Sequence, residues 1–241
     1  MSSLQRRART AGAIYLVMSL VGAPMLLLLP RFVVAGDATA TAQKIAAGEQ
    51  VYRLLLLGEL AGSVLFIVLG WSLYHLFEEV DRKQAMLLVL FVLASATLGL
   101  VDVTLLASPL VIQARAGFLS VFTPSQLDAL SLALLKIRSV ELRADEALWG
   151  LWLVPFGILV IKSGFIPKLA GVSLLVASVG YVAMSVAFIA FPGYVGQVDH
   201  YGSWLIQFEL VGILWLLIVG ARRVVPSRAA GTLTEGAPAV G

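Results

Sequence analysis

The chain has no cysteine, two histidines and few charged residues. The lack of cysteine among 241 residues excludes disulfide bonds, thiolate metal sites, a cysteine nucleophile and haem attachment through cysteine. His75 and His200 lie near opposite ends of the predicted spans, so they cannot share a metal ion, and a zinc hydrolase needs a cluster of ligands. No G-x-S-x-G, phosphate-loop or G-x-G-x-x-G pattern is present. The sequence therefore predicts no metal site, no cofactor and no catalytic residue.

Charge is scarce, whereas apolar surface is abundant. Charged residues make up 13% of the chain and hydrophobic residues 60%, and the mean hydropathy is +0.96. A soluble domain is usually about half apolar and about a quarter charged. A soluble protein of this size cannot hide so much apolar surface from water, but a helix bundle in lipid can expose it. The net charge of +3 comes from basic residues at helix ends without stacking aromatics, so nucleic acid is not an expected partner.

Six apolar runs approach the roughly 20 residues with which an α-helix crosses a ~30 Å hydrocarbon core. The fourth run is short and spans only if helix continues upstream past Glu146, or if the bilayer thins locally. The first run is too long for a signal peptide and lacks an A-x-A cleavage pattern, so we expect it to be retained. The runs are Ala11–Phe32, Leu54–Phe77, Ala85–Ser108, Ala147–Ile161, Leu169–Phe191 and Trp204–Gly220.

These runs predict an all-α fold, a polytopic transmembrane helix bundle with six spans. We expect one domain over residues 1–225 and a disordered cytoplasmic tail over residues 226–241. The oligomeric state is not predicted.

Two connections carry turn and capping signals. Lys162–Lys168 predicts a tight hairpin, in which Gly164 ends one helix in the left-handed conformation and Pro167 lies near the start of the next. The segment from Thr123 to Gln126 predicts a capping box with proline at the first helical position. The helix that starts there has an apolar stripe. It either lies on the membrane surface as a short extracytoplasmic amphipathic helix or runs on towards the fourth span.

The distribution of lysine and arginine indicates that both termini are cytoplasmic. With the N-terminus inside, ten basic residues lie inside and seven outside, which predicts a multi-pass protein of the cell membrane. Arg222 and Arg223 are expected to contact anionic lipids. The inside residues are Arg6, Arg7, Arg9, Arg82, Lys83, Lys162, Lys168, Arg222, Arg223 and Arg228, and the outside residues are Arg31, Lys44, Arg53, Arg115, Lys136, Arg138 and Arg143.

Three carboxylates fall inside predicted spans, where ionisable groups are costly and often functional. Glu59 and Glu209 lie five residues into the second and sixth runs, and Asp102 lies six residues before the end of the third. At ~1.5 Å per residue each is ~7.5–9 Å from the outer end, so all three are expected in one layer. Each has a glycine three residues away on the same helix face, which favours close packing inside the bundle. These glycines are Gly62, Gly99 and Gly212.

The three acids predict an outward-facing acidic pocket inside the membrane. Arg53, four residues after Glu49, is expected near its rim, and Glu146 enters the same layer if the fourth span starts early. The candidate ligand-binding residues are Arg53, Glu59, Asp102, Glu146 and Glu209.

Three functions remain open at this point. The chain binds or transports a small molecule or ion, or it is a structural or regulatory membrane subunit that packs against a partner, or it is an intramembrane enzyme of unfamiliar type. The third is the least favoured.

Several segments, spread over most of the chain, form a recognisable combination. They are Arg9, Gly12 and Tyr15-Leu16; Gly36–Ala42 with Ile45, Glu49 and Tyr52-Arg53; Leu73-Tyr74; Gly150–Gly157; Lys162–Lys168; Gly180-Tyr181; and Glu209 with Leu214–Leu217. Together they resemble a bacterial family of multi-pass membrane proteins, domain of unknown function 4386. The resemblance extends from Arg9 to Arg222, with one departure, since Gln207-Phe208 stands where a glycine is expected before Glu209. It implies a bacterial membrane protein and no particular activity.

Overall fold

The computed structural model describes residues 3–114 and 117–221, except for the side chain of Leu26. Within these ranges the regular structure is helical, with no strand. A π-helical turn at Trp215–Val219 follows the last α-helix. The α-helices are α1 (Ser3–Phe32), α2 (Ala38–Ala47), α3 (Glu49–Phe77), α4 (Arg82–Gln113), α5 (Pro124–Ser163), α6 (Lys168–Ala190), α7 (Val195–Ile206) and α8 (Glu209–Leu214).

Six helical segments are long and apolar enough to cross a membrane, which confirms the predicted fold class of a multi-pass membrane protein. They are α1, α3, α4, α5, α6 and Pro192–Val219, which contains α7 and α8. The spans alternate in direction. We call the end of the bundle where α1 ends and α3 begins the α2 end, and the opposite end the Asp81 end. The two ends of the described chain meet at the Asp81 end, where Arg9 Nη2 donates to the Ile218 carbonyl over 3.2 Å.

Helix α5 begins at the predicted capping box. The Thr123 side chain accepts from the backbone N–H of Gln126, and the Gln126 side chain accepts from the backbone N–H of Thr123. The helix then continues for 40 residues to Ser163. No glycine or proline interrupts the sequence between Gln126 and Gly150, so nothing ends the helix at the membrane surface. The surface-helix alternative is therefore wrong, and the short fourth run spans because helix continues upstream of it.

The hairpin between α5 and α6 has the predicted form. Gly164 ends α5 with a φ of 70°, a left-handed conformation that favours glycine, and Pro167 immediately precedes α6. At the same end Lys162 Nζ donates to Asp81 Oδ2 over 2.7 Å. The Lys162 hydrogen bond, followed by that from the Gln84 backbone, holds the pKa of Asp81 below its usual range.

Most buried apolar side chains form a large core and a smaller one, and Ile112, Leu119 and Leu127 form a separate small cluster. The large core includes Tyr15 of α1, Leu73 of α3 and Phe156 of α5, and it occupies the middle of the bundle and its Asp81 end. The smaller core lies at the α2 end, where α2 packs across α4 and α5. We call it the α2-end core; its buried residues are Met25, Leu29, Ile45, Tyr52, Leu55, Leu106 and Leu135.

The sixth span is not one regular helix. Helix α7 ends at Ile206, a turn occupies Gln207 and Phe208, and α8 begins at Glu209. The predicted run Trp204–Gly220 therefore contains a break.

Candidate functional site

A buried ion pair joins α4 to α5. The guanidinium of Arg138 donates from Nε and Nη2 to Asp102 Oδ2, over 3.0 and 2.9 Å. The side chains are only 9% and 3% exposed. Both hydrogen bonds reach the same oxygen, and Asp102 Oδ1 is buried with no N–H or hydroxyl donor among the described residues, although the Glu141 carboxyl lies within hydrogen-bonding reach of Asp102. A buried acceptor without a donor costs free energy. Binding of a proton, or of another hydrogen-bond donor, to this oxygen would remove that cost.

Two further carboxyl groups lie on the same face of α5. Glu141 follows Arg138 by three residues and Asp145 follows Glu141 by four, a spacing that aligns side chains on one helix face. The Glu141 carboxyl lies against that of Asp102, and both of its oxygens are buried without a donor among the described residues. Asp145 Oδ2 accepts from Ser95 Oγ over 3.0 Å and from Trp149 Nε1 over 2.8 Å. Its Oδ1 has no partner in the described chain.

Glu59 of α3 completes this group. Its side chain is partly buried and interacts electrostatically with Asp102, Arg138 and Asp145. The structure therefore brings together Glu59 and Asp102, as the sequence predicted. We call Glu59, Asp102, Glu141 and Asp145, with Arg138, the carboxyl cluster.

Small residues allow α3 and α4 to approach closely beside the cluster. A Cβ added to Gly99 would collide with the Oγ of Ser63, which lies one turn from Glu59. Gly99 therefore has the predicted packing role. Gly62 does not, because a Cβ at that position would meet nothing within 4 Å.

The cluster lies directly beneath the α2-end core. Leu55, Leu106 and Leu135 are each one helical turn from a member of the cluster. The large core lies on its other side. Apolar side chains thus cover the cluster on both sides, and the effective dielectric constant around it is low.

The carboxyl cluster contains more acidic side chains than basic ones. Within the described chain, Arg138 is the cation found beside these four carboxyl groups: it bonds to Asp102 and interacts electrostatically with Glu59 and Glu141. Excess carboxyl groups in a low dielectric bind protons or take up a cation. The described residues include no group of three or more His, Asp or Glu side chains arranged to hold a metal ion. The arrangement therefore suits a proton or a hydrogen-bonding organic cation.

Glu209 lies outside the cluster, contrary to the expectation of one shared layer. Tyr15 of α1 and Tyr181 of α6 both donate to its carboxyl group, Tyr181 over 2.9 Å. The expectation measured depth from Trp204, but the sixth helical segment begins at Pro192, so Glu209 lies 17 residues from its start and is the first residue of α8. Its two tyrosine donors tie α1, α6 and α8 together within the large core.

Glu146 belongs to a third polar group. Arg143 forms two hydrogen bonds to Asp199 of α7, over 3.1 and 2.6 Å, and its Nη1 lies 3.2 Å from a carboxyl oxygen of Glu146. The Glu146 side chain is only 11% exposed. Glu146 thus helps to fasten α7 to α5, and its predicted role in ligand binding remains untested.

Arg53 does not bond to any acid of the cluster. Its Nε donates to Glu49 over 2.7 Å, as the four-residue spacing predicted, and the two side chains are 58% and 49% exposed. It lies on the surface near the α2 end. The predicted lipid contacts of Arg222 and Arg223 and the predicted tail over residues 226–241 fall outside the described residues.

Sequence reasoning did not select Arg138 or Glu141 as site residues, and it placed Asp145 in the acidic layer, if the fourth span starts early, without choosing it as a ligand-binding residue. Their signal was present, because the spacing of Arg138, Glu141, Asp145 and Trp149 by three, four and four residues marks one helix face. That signal appears only when α5 is treated as one helix.

A family model matches residues 10–220, which cover most of the chain. The chain belongs to the family described as domain of unknown function DUF4386. This confirms the resemblance seen in the sequence, and the family description carries no activity. No curated protein and no solved structure matches the chain. Any function must therefore be argued from the residues of this family member itself.

Proposed function

We propose that this protein binds a proton or a small organic cation at the carboxyl cluster and transports it. We place it in the bacterial cytoplasmic membrane with both termini in the cytoplasm and residues 1–225 as a single domain, its last basic residues against anionic lipid. The α2 end then faces outward.

The observation that carries this proposal is the set of buried carboxyl oxygens without donors. Four such oxygens belong to three residues on two facing helices: Asp102 Oδ1, both Glu141 oxygens and Asp145 Oδ1. A purely structural ion pair would use its oxygens fully, because an unsatisfied buried acceptor costs about 1–3 kcal/mol. An exchangeable proton or cation satisfies these oxygens when it binds and leaves them open when it departs.

The structural alternative has support of its own. The pair of Asp102 and Arg138 joins α4 to α5, and Glu209 joins three helices through Tyr15 and Tyr181. Buried polar groups of this kind hold membrane helices together without any ligand. A test must therefore separate exchange at the cluster from helix packing.

Proton flux into proteoliposomes provides that test. Purified protein is reconstituted with trapped pyranine, and a potassium diffusion potential is applied with valinomycin. We expect faster internal acidification than in protein-free vesicles, and Glu141→Gln should reduce it to the protein-free rate. Glu49→Gln is the matched control, since that carboxyl group is on the surface, and it should leave the flux unchanged.

Carbodiimide labelling separates binding from transport. A hydrophobic carbodiimide reacts with protonated buried carboxyl groups, so mass spectrometry should find adducts on Asp102 or Glu141 that decrease as pH rises. Adducts without flux would limit the function to proton binding or sensing. Absence of both flux and adducts, in protein that remains folded, would refute the proposal and favour the structural subunit.

A further inference from the structure

A groove opens between α1 and α5 at the α2 end. It has a volume of about 150 Å³. Leu29 and Pro30 of α1, with Val33 just after it, form one wall, and Leu135 of α5 lies opposite. The remaining lining residues on α5 are polar and include Lys136 and Arg138, with no acidic residue among them.

The groove lies at the level where a membrane meets water. Its α1 wall is formed by the last helical turn and the residue that follows, since α1 ends at Phe32. The first apolar run also ends there, and Asp37 starts the polar connection to α2. Lipid phosphate groups occupy this level, just outside the hydrocarbon core.

Two cationic side chains line the groove, and each has a hydrogen-bond donor that is not bonded to another described residue. The Lys136 side chain is exposed, and no described residue pairs with it. Arg138 uses Nε and Nη2 for Asp102, and Nη1 has no acceptor within the described chain. Since a guanidinium can bond to two anions on different edges, Nη1 can bind a phosphate oxygen while Asp102 stays paired.

We infer that this groove binds a phospholipid of the adjacent leaflet. The phosphate lies between Lys136 and Arg138, and an acyl chain packs along Leu29 and Leu135. Charge complementarity identifies the phosphate, because the lining carries two cations and no acid. The apolar wall and the position at the end of α1 identify the lipid as its source rather than free phosphate. The site shares Arg138 with the carboxyl cluster, but Lys136 is not a member of the cluster, so substitution of Lys136 tests lipid binding without removing a residue of the proposed cation exchange.

Native mass spectrometry of the delipidated protein tests the site, with dioleoylphosphatidylglycerol as the probe. We expect one tightly retained lipid, and Lys136→Ala should weaken its binding by about tenfold, as expected for one charge-assisted contact. Lys136→Arg should restore binding. Lys44→Ala removes another exposed cation at the α2 end and should leave retention unchanged.

Three results would overturn the inference. Equal lipid loss in Lys136→Ala and Lys44→Ala would show a diffuse surface attraction. Dioleoylglycerol, which lacks the phosphate, binding as tightly as the phospholipid would show an apolar site only. Inorganic phosphate competing at millimolar concentration would show a site for free anions. Proton flux is expected to persist in Lys136→Ala, so loss of lipid and loss of transport are separable outcomes.

Discussion

Arg138 is the residue on which the carboxyl cluster depends most. It bonds to Asp102 inside the bundle, where breaking one side of a buried pair leaves an uncompensated charge. We expect Arg138→Leu to lower the free energy of unfolding by about 3–5 kcal/mol. The loss is measured by denaturant titration of the purified protein in detergent micelles, followed by tryptophan fluorescence.

Arg53 offers the matched control for this substitution. It also forms an ion pair with a glutamate, but both side chains are more than 45% exposed. Exposed pairs contribute about 0–1 kcal/mol, so Arg53→Leu should change stability little. Similar losses in the two variants would show that burial of the Arg138 pair does not determine its contribution.

Two residues of this site could be predicted from the sequence, because a single rule was enough to identify them. Glu59 and Asp102 stood out because a carboxyl group inside an apolar run is costly, and that rule does not depend on neighbouring helices. Arg138 did not stand out, because it was assigned to a loop outside the membrane. Glu209 met the same rule, but its partners, Tyr15 and Tyr181, lie 194 and 28 residues away. Only tertiary packing determines that it lies apart from Asp102.

At the scale of elements, capping and turn residues predicted where α5 begins and ends, whereas hydropathy did not predict that α5 is one continuous helix. Thr123 and Gly164 mark the two ends of α5 through capping chemistry that four or five residues determine. The continuity of the 40 residues between them was ambiguous, because hydropathy falls where Arg138 and Glu141 enter the helix. Arg138 is tolerated there because α4 supplies Asp102 as its ion-pair partner.

The contact between Asp81 and Lys162 joins the start of α4 to the end of α5 and should depend on pH. Because the folded-state pKa of Asp81 is lowered, its contribution to stability is fully present above the unfolded pKa of about 3.9. That contribution is lost as pH falls through the folded-state value. We expect Asp81→Asn to be less stable than the unmodified protein at neutral pH, and the difference to decrease as pH falls below about 3.9.

Asparagine keeps an oxygen that can cap α4, so this substitution removes the charge while preserving the bond from the Gln84 backbone N–H. Melting temperatures measured from pH 3 to pH 8 provide the comparison. A difference between the two proteins that persists unchanged at pH 3 would contradict an electrostatic origin. Lys162→Gln should show the same loss at neutral pH, because it removes the other partner.

At the scale of the whole molecule, the structure increases the difference between the numbers of lysines and arginines in the inside and outside loops. The orientation of the protein in the membrane is predicted from this difference. The sequence counted ten basic residues on one side and seven on the other. Arg138 and Arg143 now lie within α5 in ion pairs with acids, so they no longer count as loop charges. Arg53 and Lys162 also pair with acids, so four of the seven outside residues and nine of the ten inside residues of the sequence count remain. The positive-inside rule counts charges in short loops, so the bias now exceeds that of the sequence count.

The final prediction is that the Asp81 end faces the cytoplasm. Six alternating spans place both ends of the described chain at that end. Reporters fused after Gly241 or inserted near Val80 should therefore report the cytoplasm, whereas a reporter near Gly117, between α4 and α5, should report the exterior. Paired phosphatase and fluorescent-protein fusions measure this, because each is active on one side only. The reverse pattern at all three positions would invert the bundle and turn the α2 end, with its groove and carboxyl cluster, towards the cytoplasm. An exterior signal from Gly241 alone would show an odd number of spans.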